Sequence, residues 1–226
     1  MKLYFLVEGI SSEMQAYPEW LKYHLPTLVR FFKLDEFKAA DKGYMLISGE
    51  GYPSILNHIK NSVEETRESL ADYLFIILDS DEDTVAEREQ QIKDIIDNLD
   101  IPQRLKVIIV VQNRCFETLL LGNKKAVPRR AQSEPLITYY RYFNAYESDP
   151  EDLGCYNKDE YTHSQFHLRY AKAAIKEKGF TYSKNNCSAI STPQYFGNIC
   201  KRFKDDNEIR SLKPLIEELE SISKLV

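Results

Sequence analysis

The chain has 226 residues, enough for one large domain with a sizeable core and a tight fit for two. Hydrophobic residues at 43% and charged residues at 29% exclude wholesale disorder, and a formal net charge of −5 excludes a body coated in basic surface while leaving room for a local basic groove. The longest apolar runs, residues 73–78 and 107–111, fall far below the roughly 18 residues a membrane-spanning helix needs, so no transmembrane segment is expected.

Residues 3–7 are β-prone and wholly apolar, the pattern of a strand covered on both faces, and Glu8-Gly9 ends it abruptly. No apolar h-region with a small-residue cleavage site follows Met1-Lys2, so no export signal is expected. Ser11-Ser12-Glu13 supplies helix-capping residues, and Met14, Tyr17, Trp20, Leu21, His24, Leu25 and Leu28 recur at helical spacing through a stretch interrupted by Pro18 and Pro26. One bent helix or two short ones is expected there. A second strand over 44–47 is closed by Ser48-Gly49-Glu50-Gly51, and Ile55, Ile59 and Val63 mark a helix running to about Leu70. The third strand, 73–78, stops at Asp79. Val85, Ile92, Ile95, Ile96 and Leu99 then form the apolar stripe of a helix over 84–99, before a fourth buried strand over 105–111.

This alternation predicts an α/β, Rossmann-like fold with a mostly parallel four-stranded sheet flanked by helices, and ligands at the strands' C-terminal edge. From Cys115 onward the pattern turns helical, over 116–121, 136–146, 161–178, 193–203 and 212–225, with an acidic loop at 147–160.

The strongest chemical constellation joins Glu8, after the first strand, to Asp79, Asp81 and Asp83, after the third. Carboxylates converging on one sheet edge repel each other unless a hard cation neutralises them, and Mg²⁺ prefers such oxygen ligands. Asp79 and Asp81 are two apart, so both point to one side if the strand geometry persists, and a single cation could bridge them. The competing explanation of Asp-Ser-Asp-Glu-Asp is an acidic cap for the helix starting near Thr84.

The combination of Phe5-Leu6-Val7-Glu8-Gly9 with Ile76-Ile77-Leu78-Asp79-Ser80-Asp81 resembles the Toprim domain of topoisomerases, primases and overcoming-lysogenization-defect (OLD) nucleases, whose pattern is a glutamate after the first strand and Asp-x-Asp after the third. Asn113-Arg114-Cys115-Phe116-Glu117-Thr118-Leu119-Leu120-Leu121 is similar to the Asn-x-Cys-Phe-Glu-x-Trp-Leu-Leu signature of RloB-like proteins, a Toprim group tied to bacterial defence, with Leu119 in place of the tryptophan and Arg114 in place of the usual proline. The resemblance implies a Toprim-like catalytic domain over 1–125 and a mainly helical C-terminal elaboration over 126–226 packed on it. It further implies phosphodiester chemistry assisted by Mg²⁺, with Mn²⁺ as a substitute. Asp79 and Asp81 would then hold metal, joined by Asp83, while Glu8 ligates or moves protons. Glu117, opening a helix after the fourth strand, either joins the catalytic cluster or is a favourable charge near a helix N-terminus.

Lys124, Lys125, Arg129 and Arg130 form the densest positive patch and are candidates for nucleic-acid contact, against the alternative of a solvated loop. Lys201, Arg202 and Lys204 read as an exposed helix face. His163 and His167 have zinc-compatible spacing but lack a third ligand, and Cys115 lacks a nearby base and reads as packing. The tyrosines between 139 and 182 offer a stacking surface or, more commonly, buried rings. Cys115, Cys155, Cys187 and Cys200 form no CxxC pair, which fits reduced thiols in a cytoplasm.

The function expected is a Mg²⁺-dependent nuclease acting on DNA or RNA, transfer RNA included, as an effector of antiphage defence with a partner ATPase. Self-association stays open. The alternatives are a non-catalytic Toprim-fold scaffold or regulatory subunit, and a small-molecule phosphohydrolase. The 15 tyrosines do not favour a topoisomerase, because the chain has no room for strand-passage gates.

Overall fold

The computed structural model describes residues 1–225. Five parallel strands form one sheet, β1 (Lys2–Val7), β2 (Arg30–Phe31), β3 (Gly43–Ser48), β4 (Tyr73–Asp79) and β5 (Lys106–Gln112), in the order β2-β3-β1-β4-β5. The fold is thus α/β and Rossmann-like, with five strands where the sequence pattern suggests four. The added strand is two residues long and sits at the edge, too short to leave a periodic signal. Its pairing, Arg30 with Tyr44 and Phe31 with Met45, depends on Gly43. That residue has φ +146°, and a Cβ there would lie 2.3 Å from the Phe31 ring.

Helices α1 (Ser12–Leu21), α2 (Leu34–Ala39), α3 (Ser54–Ser69) and α4 (Val85–Ile96) alternate with the strands. The chain leaves helical geometry after Leu21, ahead of Pro26, which disfavours helix in the residue before it. Helix α2 buries only Phe37, which is why no apolar stripe announces it. Beyond β5 come α5 (Phe116–Leu120), α6 (Leu136–Tyr142), α7 (His163–Glu177), α8 (Pro193–Asp206) and α9 (Lys213–Ser223).

Because β1 and the central residues of β4 are buried throughout, alternate side chains feed two separate cores. Leu3, Phe5, Val7, Phe75 and Ile77 face a core shared with α1, α8 and α9. Tyr4, Leu6, Leu74, Ile76 and Leu78 face the core of α2, α3 and α4. A third cluster, with Leu121, Leu136, Tyr139, Phe166 and Tyr170, joins α5 to α7. Residues beyond 126 therefore supply one covering layer of the sheet itself. No helix among the described residues is long and apolar enough to cross a membrane.

Trp20 is the joint of this arrangement. Its indole stacks on Phe116 at 5.2 Å and Phe196 at 5.3 Å, and its Nε1 donates to the Ile190 carbonyl at 2.7 Å, tying α1 to α5 and α8. Phe196→Ala should cost about 3–5 kcal/mol. Trp20 is the sole tryptophan, so its fluorescence during urea unfolding reads the change directly.

Candidate active site

Strands β1 and β4 are adjacent although β2 and β3 lie between them in the chain, so the crossovers diverge at their C-terminal ends. This switch point is where an open α/β sheet leaves a crevice. Glu8 leaves β1 with its N–H on the Ile77 carbonyl at 2.9 Å, and its Oε2 accepts the Asp79 N–H at 3.0 Å. This bond, across 71 residues of chain, brings Glu8 to the end of β4 through the Asp79 backbone. Glu117, in the first turn of α5, is buried from the neighbouring strand end and accepts the Tyr182 hydroxyl at 2.8 Å.

A fourth carboxylate joins them. Glu13, in the first turn of α1, is buried, and its Oε2 lies 1.7 Å from where a Cβ on Gly9 would sit, so a side chain at position 9 would push this carboxylate aside. Glu8, Glu13, Asp79 and Glu117 line one cavity of about 260 Å³, together with Glu50, Ser12 and Lys184. In the sequence Glu13 reads as a helix-start residue, and Lys184 carries no local signal. The signal for Glu13 is a second acid one turn beyond Gly9.

The electrostatics of the cavity follow from crowding and burial. Burial, then the charges of Glu8 and Glu117, push the Glu13 carboxyl up from its ordinary 4.5 to about 8, against the pull of the Gly9 amide and Lys184. Burial, then Glu13, Glu8 and Glu117, hold Asp79 well above the usual carboxylate range. Glu8 is also raised, first by burial and then by Asp81, while the Asp79 and Tyr52 amides and Arg88 oppose the shift. Asp79 Oδ1 and Glu13 Oε1 are buried without a hydrogen-bond partner. Such a cluster is relieved either by protons or by a cation with oxygen ligands, so these residues fit a divalent ion. Among the described residues, however, no group of three or more acid, histidine or thiol side chains is placed so that it could hold a metal ion as the side chains stand.

The remaining acids of the β4–α4 turn are engaged elsewhere. The strand ends at Asp79, and Asp81 takes a left-handed conformation at φ 50°, so extended geometry does not carry through to it. Its N–H donates to the Arg114 carbonyl at 2.8 Å, and its Oδ1 accepts the Ser164 hydroxyl at 2.7 Å. Arg114, itself at φ 65°, donates its N–H to Ser80 Oγ and its Nη1 to the Asp81 and Asp83 carbonyls, holding the turn shut. The Asp83 carboxylate pairs with buried Arg88 at 2.8 Å. Neither Asp81 nor Asp83 lines the cavity. Capping of α4 falls to Thr84, which forms a reciprocal box with Glu87, so the acidic run does not serve as that side-chain cap.

The four cations proposed for nucleic-acid contact lie outside the acidic cavity. Lys124 pairs with Asp206 at 2.7 Å and Arg129 with Glu147 at 3.6 Å, while Lys125 and Arg130 are exposed. Lys124 and Lys125 share a groove of about 300 Å³ with Lys201 and Arg202. His167 is a core residue, its Nδ1 2.7 Å from the Thr118 hydroxyl and its Nε2 2.8 Å from the Leu153 carbonyl, and burial lowers it to about 4. His163 instead meets Glu82 at 2.6 Å. Burial, then the charges of Glu117 and Asp79, push the Cys115 thiol well up, which leaves it inert as a nucleophile. Tyr139, Tyr140 and Tyr170 stack within the protein and are occupied as core.

No protein-family model, curated protein or solved structure matches the chain.

A carboxyl whose folded pKa exceeds its unfolded value holds more protons folded than unfolded between the two, so its stabilisation is lost as pH rises through that window. For Glu13 the window runs from 4.5 to about 8. The metal-free protein should therefore lose about 5 °C of melting temperature between pH 5 and pH 8, and Glu13→Gln should flatten much of that slope, as measured by thermal unfolding in chelator.

Proposed function

We propose that the chain is a divalent-metal-dependent phosphodiester hydrolase of the Toprim type, acting on a nucleic acid. The observation that carries this reading is the convergence of Glu8, Glu13, Asp79 and Glu117 on one cavity at the sheet's switch point, with a buried oxygen of Glu13 and of Asp79 unpartnered. Magnesium, or manganese in its place, would stabilise the extra negative charge of the transition state and lower the pKa of an attacking water.

The chain's own residues divide the remaining work. Asp79, Glu13 and Glu117 would offer ligand oxygens to a cation from three different elements. Glu8, anchored by the Asp79 amide, ligates or accepts a proton from a water in the cavity. Lys184 is the one cation lining the cavity among the described residues and suits a phosphate oxygen. Lys124, Lys125, Arg129 and Arg130 then serve as more distant backbone contacts, which position a polymer without reading its sequence. DNA and RNA share this chemistry. The four buried free thiols suit a reducing, cytoplasmic setting, and the role in antiphage defence with an ATPase partner rests on the Toprim and RloB-like resemblance.

A second reading, a non-catalytic scaffold on the same fold, is favoured by the engagement of Asp81 with Ser164 and of Asp83 with Arg88, both turned from the cavity. Incubating the purified chain with plasmid, single-stranded DNA and total RNA, with and without Mg²⁺ or Mn²⁺, separates the readings. Metal-dependent cleavage is expected, reduced at least about 100-fold in Asp79→Asn. Intact polymers with turnover of free nucleotides would favour a small-molecule phosphohydrolase, and no turnover of either would favour the scaffold.

A further inference from the structure

Glu117, on the wall of the acidic cavity, is held from behind by a residue of the C-terminal half. Tyr182, in the segment between α7 and α8, is buried in the same core as Phe5, Ala16 and Tyr17. Its hydroxyl donates to Glu117 Oε1 at 2.8 Å and meets Ser12 Oγ at 3.1 Å. A phenol has a single proton, so with that proton on the carboxylate the Ser12 hydroxyl must donate the second bond. The relay therefore runs in one direction, from Ser12 on α1 through Tyr182 to Glu117 on α5.

This bond is the one hydrogen bond the Glu117 side chain makes among the described residues, and Oε2 receives none. A glutamate side chain is long and flexible, and Tyr182 ties down one oxygen while leaving the other open to the cavity's contents. The phenol in turn has little freedom. Its ring is held by core packing, and its loop is closed by the bridge between Ser183 and Asn186 and by the Gln15 side-chain amide on the Lys184 carbonyl. Lys184, two residues on, lines the same cavity.

We propose that Tyr182 is a positioning residue for the acidic centre, its hydroxyl, oriented by Ser12, holding Glu117 in the rotamer that leaves Oε2 free to ligate a divalent cation. This role rests on the reading of the cavity as a metal site. It also makes the C-terminal half part of the site, since the sheet half alone supplies the acids without the group that orients Glu117. Ligands held by such outer partners lose affinity when the partner goes, because the cation must then organise them itself.

The test is Mn²⁺ binding to the purified full chain, by calorimetry or by loss of the free-ion electron paramagnetic resonance signal, beside thermal unfolding in chelator. Tyr182→Phe keeps the buried ring and removes only the hydroxyl. It should weaken Mn²⁺ binding about tenfold while moving the metal-free melting temperature by no more than a few degrees. Tyr195→Phe is the matched control. That phenol is also buried, but it donates to the Leu120 carbonyl at 2.9 Å and to no cavity carboxylate, so its loss should leave Mn²⁺ binding unchanged. Equal affinity in Tyr182→Phe and the unaltered chain overturns the positioning role alone. Equal weakening in both variants overturns it too, by assigning the effect to a loosened core. An unaltered chain that binds no Mn²⁺ overturns the metal reading, and the positioning role with it.

Discussion

Mutual repulsion among carboxylates that have been taken out of water is the constraint around which this molecule is built. Glu8, Glu13, Asp79 and Glu117 come from four elements, and each additional acid raises the cost of ionising its neighbours. Stability alone would be better served by apolar groups in these positions, so the cluster costs the fold more than it returns to it. The rest of the structure keeps the acids where they repel. The β1–β4 register puts Glu8 against the Asp79 amide, Gly9 makes room for Glu13, and the core of α1, α5 and α8 around Trp20 prevents the helix starts from moving apart.

The acidic turn after β4 belongs to a second, separate balance. Two residues in left-handed conformation, Asp81 and Arg114, are tied to each other through their backbones, and Ser164 and His163 at the start of α7 receive the side chains of Asp81 and Glu82. Strained backbone held by such over-determined bonding concentrates at functional sites. The C-terminal half thus meets the sheet edge at the cavity, through Lys184 on its wall and Tyr182 behind Glu117, and outside it through α7.

Much of the candidate site was legible in the chain because strands carry a local signature. A wholly apolar run ending in an acid announces a buried strand with a carboxylate at its edge, and this holds for Leu6-Val7-Glu8 and for Ile77-Leu78-Asp79 alike. The parallel sheet follows from the alternation of such runs with amphipathic helices. Local pattern failed where the decisive contact was not local. Glu13 reads as an ordinary first-turn acid until Gly9 is seen to bring it over Glu8. Asp81 reads as an in-phase partner of Asp79 until the Arg114 carbonyl turns its backbone. His167 reads as half of a zinc pair until Thr118 and the Leu153 carbonyl occupy both of its nitrogens.

Four of the five strands and the strand ends at Glu8 and Asp79 could be read from the chain alone, since hydrophobic periodicity acts over a few residues and needs no knowledge of distant partners. Which acids share a cavity, which are held by Ser164 and Arg88, and that Tyr182 reaches Glu117 emerge only on folding. Those outcomes depend on angles and separations between elements, set by how side chains pack, and packing is a property of the whole folded chain.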